Sequence, residues 1–395
     1  MTGTSGIRRV LFTIACFRAS NTGNGGHFYS LRTMAEALGL DHQILVIGDF
    51  FPLALKGAPN VLQVPCAFTS VRGPDFDSVR GLEKADLIHA YDLTAANFSA
   101  KLSWTWKVPL VFTKPGGPPY KSVTRLFDNM TVFHQKDYDL ISARKAPPRN
   151  MVLIPNRVNL DATAGMPVGP VFEGVPERAI KIITIGRIGK VYDEKIRQAI
   201  ALRRAIAARH GPAVLSIIGI IEDADTLEAL KRDTAQDGAD VRFFTDDEIT
   251  HMAARHLAAS DVAVCTGRGF MEALGYGNFV FFTVKGTKLP CFAHEANYEE
   301  AFRNNFSPRV TENDIVNCAE AFEAFLSSTT PAGTEAYCAW ALNTFTRDHD
   351  VHNGARRLKA FYENLSGHET LAGAYMPTFR FWLFGMIKKH LLRRY

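Results

Sequence analysis

The chain has 395 residues, 47% of them apolar and 22% charged, and a formal net charge of +5. Single hydrophobic cores stop growing near ~250–300 residues, so this length predicts two domains, each able to bury a sizeable core. The composition excludes wholesale disorder, and a mild positive charge with no basic run before the C-terminal tail argues against a nucleic-acid binder.

The opening MTGTSGIRRVLFTIACF has too short an apolar run for a signal peptide, and nowhere do about 18 apolar residues follow one another. A cytoplasmic protein is expected. From there short apolar runs alternate with helical periodicity. Segments 8–17, 42–48, 87–90, 109–113, 130–133 and 151–155 read as buried strands, with helices at 25–39 and 92–104. A stretch at 159–179, dense in Gly and Pro and without either period, reads as a linker. Strands follow at 180–186, 213–219, 241–244, 261–265 and 279–284, with helices at 193–210 and 224–235 and only helical pattern after Ser328. Strands spaced by helices imply parallel sheets with right-handed crossovers. The expected architecture is therefore α/β, with two Rossmann-like doubly wound domains at 1–160 and 181–371, joined by a linker at 161–180. Six cysteines lack metal-type or redox-type spacing and read as buried thiols in a reducing compartment.

Doubly wound sheets bind ligands at the C-terminal ends of their strands, and the chemically suggestive residues fall there. After the first strand, NTGNGGHFYSL places Gly25 and Gly26 at a helix start, where freed amides make an anion site. The string is not GxGxxG, which disfavours a nicotinamide cofactor. His89 ends the strand LIHA with Asp92 close behind; a lone histidine is more often structural than an acid or base. PLVFTKPGG puts the mobile charge of Lys114 at a strand end. In IITIGRIGKVYDEK, Gly186 and Arg187 follow a strand, with Lys190 and Lys195 downstream. A guanidinium fork and a nearby ammonium suit a diphosphate whose charge grows as its bond breaks. In DVAVCTGRGFMEALGYG, Gly267, Arg268 and Gly269 open a helix toward phosphate, and Glu272, one turn in, can accept two ribose hydroxyls.

The tail TFRFWLFGMIKKHLLRRY carries five basic and no acidic residues among aromatic and aliphatic ones. It reads either as a basic amphipathic helix lying on anionic lipid through 379–394, or as a terminal helix packed on the body.

Taken in order, NGGHFYSLRTMAEAL, LIHAYD, PLVFTKPGG, VLIPNRVN, IITIGRIGK, VLSIIGIIED and ASDVAVCTGRGFMEALGYG resemble the retaining GT-B glycosyltransferases of glycosyltransferase family 4, in a subset with a GxGR loop. The resemblance implies two facing Rossmann-like domains, with the acceptor mainly on the first and a nucleotide-sugar mainly on the second. It also implies a C-terminal helix, here 372–395, crossing back to the first domain. Arg187 with Lys195, or else Lys190, then matches the pair that holds the donor diphosphate. Glu272 matches the ribose ligand, and Gly25 and Gly26 match the loop near the phosphates. Two family features are missing. The earlier glutamate of the EGFG-like stretch is replaced by TGRG, and the histidine after PLVFT by Lys114 and Pro115.

The activity that the resemblance implies is transfer of a sugar from a UDP- or GDP-sugar to a hydroxyl acceptor, a glycan or a lipid-linked one, with retention. No protein nucleophile, metal or other cofactor is required, and the setting would be polysaccharide, lipopolysaccharide or glycolipid assembly. The rival readings are a nucleotide-sugar 2-epimerase of the same architecture and an inactive sugar-nucleotide-binding protein.

Overall fold

The structure, a computed structural model, describes residues 6–17, 26–67, 73–116, 127–315, 320–365 and 367–370. It divides into two units. One holds the residues up to Arg157 and those from Val351 on; the other is Val158–Asp350.

The first unit runs β1 (Arg9–Ala15), α1 (Gly26–Ala37), β2 (Asp41–Ile47), β3 (Val61–Val64), β4 (Leu87–Ala90), α2 (Leu93–Trp106), β5 (Leu110–Lys114), β6 (Asn129–Val132), α3 (Gln135–Ser142) and β7 (Asn150–Leu153). The strands form one parallel sheet in the order β3-β2-β1-β4-β5-β6-β7. Sheets of this kind are covered on both faces, so their strands read as unbroken apolar runs. In β1 the period of two shows which layer each side chain serves: Val10, Phe12 and Ile14 join one core and Leu11 the opposite one.

The second unit runs β8 (Ile180–Ile185), α4 (Asp193–Arg209), β9 (Ala213–Ile218), α5 (Ala224–Asp233), β10 (Val241–Phe244), α6 (Asp247–Thr250), β11 (Val262–Cys265), α7 (Arg268–Gly275), β12 (Phe279–Phe282) and β13 (Cys291–Phe292). Then come α8 (Tyr298–Arg303), α9 (Ala321–Ser328) and α10 (Pro331–Asp348). Its sheet order is β10-β9-β8-β11-β12-β13, parallel except for β13. Phe279, Phe281, Phe292, Phe325 and Tyr337 build an aromatic layer under β12 and β13, with ring centroids 4.8–6.1 Å apart.

In both sheets strand order reverses beside the first strand, between β1 and β4 and between β8 and β11. That is where doubly wound sheets open a ligand crevice. A last helix, α11 (Val351–Glu363), belongs to the first unit. Ala355, Leu358 and Tyr362 enter the core built on Phe12, and Arg157 lies against Gly354.

Two strands were absent from the sequence reading. Both β3 and β13 are short edge strands. The chain passes from one unit to the other after Arg157 and back after Asp350, whereas the sequence reading put a linker at 161–180 and the return at 372. The return is made by α11, and the tail 372–395 lies outside the described residues. Among the described residues no helix is long and apolar enough to cross a membrane.

Candidate functional site

Beside the switch point of the second unit, two glycines bring the loops after β8 and β9 together. Gly186 follows β8 and Gly219 follows β9, and a Cβ on Gly219 would lie 1.6 Å from the Gly186 carbonyl oxygen. Only a bare backbone fits there. The next residues are laced by hydrogen bonds from the Ile188 amide to the Ile220 carbonyl and from the Glu222 and Asp223 amides to the Ile188 carbonyl.

Arg187 projects from this pair of loops, with its side chain 45% exposed. Its Nη1 donates to Glu222 Oε1 at 2.7 Å, its Nη2 lies 3.4 Å from the Tyr192 hydroxyl, and the guanidinium sits 5.2 Å from the Tyr192 ring centroid. Burial works against its charge, but Tyr192 and Glu222 outweigh that and keep the guanidinium firmly protonated.

Lys195 rises from the first turn of α4 and is buried. Its Nζ donates to the Ile185 carbonyl at 2.6 Å and would stand 2.6 Å from any Cβ on Gly186. Among the described residues no carboxylate pairs with it, and desolvation pulls its pKa down to about 8, against a smaller upward pull from Cys265. An ammonium has three donors, and one is used. Lys190, the other lysine singled out in the sequence, is exposed and acts instead on the field around Asp223.

After β11, Gly267 caps α7 with φ 53°, a conformation that favours glycine. Gly269 has room for a side chain, its nearest neighbour being Cys265 Sγ at 3.8 Å from a built Cβ. The first turn of α7 carries no acidic residue, so its positive end is not neutralised from within. Arg268 Nε donates to Glu272 Oε1 at 2.8 Å, both half-buried. Burial pushes the Cys265 thiol up to about 12, so it stays neutral beside Lys195.

The first unit's candidates fare differently. Gly26 opens α1, while Gly25 lies outside the described residues. His89 is fully buried: Nδ1 meets the Tyr362 hydroxyl and Nε2 the Thr113 hydroxyl, each at 2.6 Å. Burial drives its pKa down to about 3. With both ring nitrogens occupied inside a core it presents nothing to a substrate, which corrects its reading as a catalytic candidate. Lys114 is likewise turned inward, 2.7 Å from Asp137 Oδ2, which also meets His134 Nε2 at 2.9 Å. Burial pushes Asp137 up, but His134 and Lys114 hold its carboxyl below the usual range. Asp92 caps α2 through the Ala95 amide at 2.8 Å and takes the Ala15 amide at 2.7 Å, tying the ends of β4 and β1. Burial raises it to about 6 against those hydrogen bonds. Among the described residues no three His, Cys, Asp or Glu side chains gather as metal ligands.

No protein-family model matches the chain, and no curated protein matches it in sequence. Solved structures do match. Anabaena HepE in complex with UDP superposes with a TM-score of 0.62 at 14% identity, covering 90% of this chain and 100% of its own. The trehalose-6-phosphate synthase OtsA gives 0.58 at 11%, over 90% and 99%. An alpha-glucosyltransferase in complex with UDP gives 0.54 at 10%, over 90% and 99%. The fold is GT-B. At such identities the likeness carries the fold and nothing about single residues. In this GT-B chain the geometry gathers Gly186, Arg187 and Lys195 at one strand end, with Gly267 to Glu272 at the adjoining strand. Sequence reasoning missed Tyr192 and Glu222, although Glu222 comes after a strand end just as Arg187 does.

Proposed function

We propose that the protein is a glycosyltransferase that moves a sugar from a nucleoside-diphosphate sugar to a hydroxyl acceptor with retention. The observation that carries this reading is Lys195, a buried ammonium with one carbonyl acceptor and, among the described residues, no carboxylate, beside Gly186 and Arg187. A charge desolvated without a counter-ion is expensive unless a ligand supplies one. A diphosphate supplies it, and the GT-B neighbour HepE has been solved with UDP-glucose.

On this reading Arg187, Lys195 and the positive end of α7 absorb the charge that develops as the anomeric carbon–oxygen bond to the diphosphate breaks. The acceptor hydroxyl forms the new bond on the same face, and its proton passes to the departing phosphate oxygen. These cations supply the charge that a divalent ion would otherwise bring, so the rate is expected to withstand a chelator. Glu272 holds the ribose, sharing its carboxylate with Arg268. The acceptor is a glycan or a lipid-linked hydroxyl bound mainly by the first unit, and segment 379–394 provides a peripheral membrane contact.

A thermal-shift screen against UDP, GDP, ADP and their sugars tests the donor site, because a ligand that binds only the folded state raises its apparent stability. A nucleotide that stabilises the wild type and not Lys195→Met supports the reading, whereas no stabilisation by any of them overturns it. Flotation with anionic liposomes tests the tail: a chain ending before Tyr375 should float less than the full chain.

A further inference from the structure

We infer that Glu222 is an exchangeable counter-ion of Arg187, a carboxylate that occupies the guanidinium until a diphosphate displaces it and so weakens retention of the leaving nucleotide. The inference rests on the reading of Arg187 as a diphosphate ligand.

The placement of Glu222 is built rather than incidental. Its backbone amide is fixed to the Ile188 carbonyl at 2.8 Å, one residue from Arg187. Its side chain lies over Gly189, where a Cβ would come within 3.0 Å of both Glu222 Cβ and Oε2. The glycine is thus what gives this carboxylate its berth. The other contact to the Arg187 guanidinium comes from a neutral group, the Tyr192 hydroxyl.

The chemistry comes from the geometry. A carboxylate 2.7 Å from Nη1 stands where a phosphate oxygen would accept, since both anions use the same planar fork. The two side chains are 45% and 41% exposed. An exposed pair of this kind is weak, so a ligand with two or more negative charges displaces it while a neutral or singly charged one gains little. Once displaced, the Glu222 carboxylate stays near the diphosphate by virtue of its pinned backbone and repels it. Lys195 has no such competitor among the described residues. One cation therefore has no anion to displace, while the other carries one that a ligand must displace first. This arrangement weakens the hold on donor and product nucleotide alike, and the weaker hold speeds release of the nucleotide once the sugar has left.

The test is calorimetric titration of pyrophosphate and of UDP into wild type, Glu222→Gln, Arg187→Ala and the double variant, with the donor KM measured alongside. Glu222→Gln is expected to bind UDP about fivefold more tightly, equivalent to ~1 kcal/mol. Its KM for donor should fall by a similar factor, and both gains should vanish in the Arg187→Ala background. Gly189→Ala, which crowds the carboxylate off its seat, should tighten binding in the same direction. A purely structural Glu222 would not produce tighter binding that depends on Arg187. Unchanged or weaker UDP binding in Glu222→Gln, or tightening that survives without Arg187, overturns the inference while the donor-site reading stands. Failure of every chain to bind either ligand overturns both.

Discussion

The carbonyl oxygen of Gly186 occupies the space where residue 219 would carry its Cβ, for a Cβ built there stands 1.6 Å from that oxygen. The turns after β8 and β9 can approach only because residue 219 has no side chain, and this approach sets Arg187 beside Glu222. Gly219→Ala must push the Gly186 carbonyl aside. Overpacking of this kind costs ~1–3 kcal/mol or more. Urea denaturation should show that loss together with weakened nucleotide binding; a variant with wild-type midpoint and affinity would contradict the claim that this contact shapes the site.

Arg187→Ala should lower turnover by roughly 10²-fold, the usual effect of removing one preorganised donor from developing charge. Steady-state transfer and donor hydrolysis both measure it. Near wild-type rates in either assay would remove Arg187 from the chemistry.

Lys195 links affinity to pH. Its native pKa, about 8, is below the ordinary 10.5. The folded chain therefore holds fewer protons than the unfolded one between these values, and stability from this group is present above 10.5 and lost as pH falls through 8. Anion binding needs the protonated form, so nucleotide affinity should weaken from pH 7 to 9. Lys195→Met should abolish binding across this pH range and make the ligand-free protein more stable near neutrality by about 1–3 kcal/mol. Chemical denaturation across this range decides it, and a Met variant that is both less stable and nucleotide-competent would count against the assignment.

His89 was legible as a strand-end histidine, but its role was not. The ring is clamped by Tyr362, which lies 273 positions later in the chain. No local pattern announces such a partner. The strands of both sheets were readable because buried parallel strands are nearly continuous apolar runs. The exceptions obey the same physics: VLQV (β3) is a half-buried edge strand with a polar residue inside it, and β13 is only two residues long. In the site, Arg187 and the α7 opening stood out through strand-end position. Choosing between Lys190 and Lys195 required knowing which one folds back under β8, and the inward turn of Lys114 required knowing Asp137 lay beneath it.

Because His89 holds a neutral ring in the core, with a pKa near 3 against an ordinary 6.5, its contribution is complete above pH 6.5 and drains away as pH falls toward 3. His89→Ala should cost about 2–3 kcal/mol at neutral pH, by leaving a gap and an orphaned Tyr362 hydroxyl. Nucleotide affinity should not change, and the variant's stability should depend less on pH between 6.5 and 4. A catalytic histidine would show the reverse, an intact fold with lost turnover.

Lys114→Met leaves Asp137 buried against His134 alone. Removing one member of a buried pair typically costs ~3–5 kcal/mol, so the melting temperature should drop well before donor affinity does. A stable variant with a raised donor KM would instead return Lys114 to the substrate side.

The return of α11 has a consequence for biosynthesis. The first sheet is translated early, yet Ala355, Leu358 and Tyr362 belong to its core and emerge from the ribosome only after the whole second unit. A nascent or truncated chain of the first 157 residues exposes the apolar face those side chains would cover. The core of the N-terminal half is therefore complete only when the intervening unit and α11 have been made.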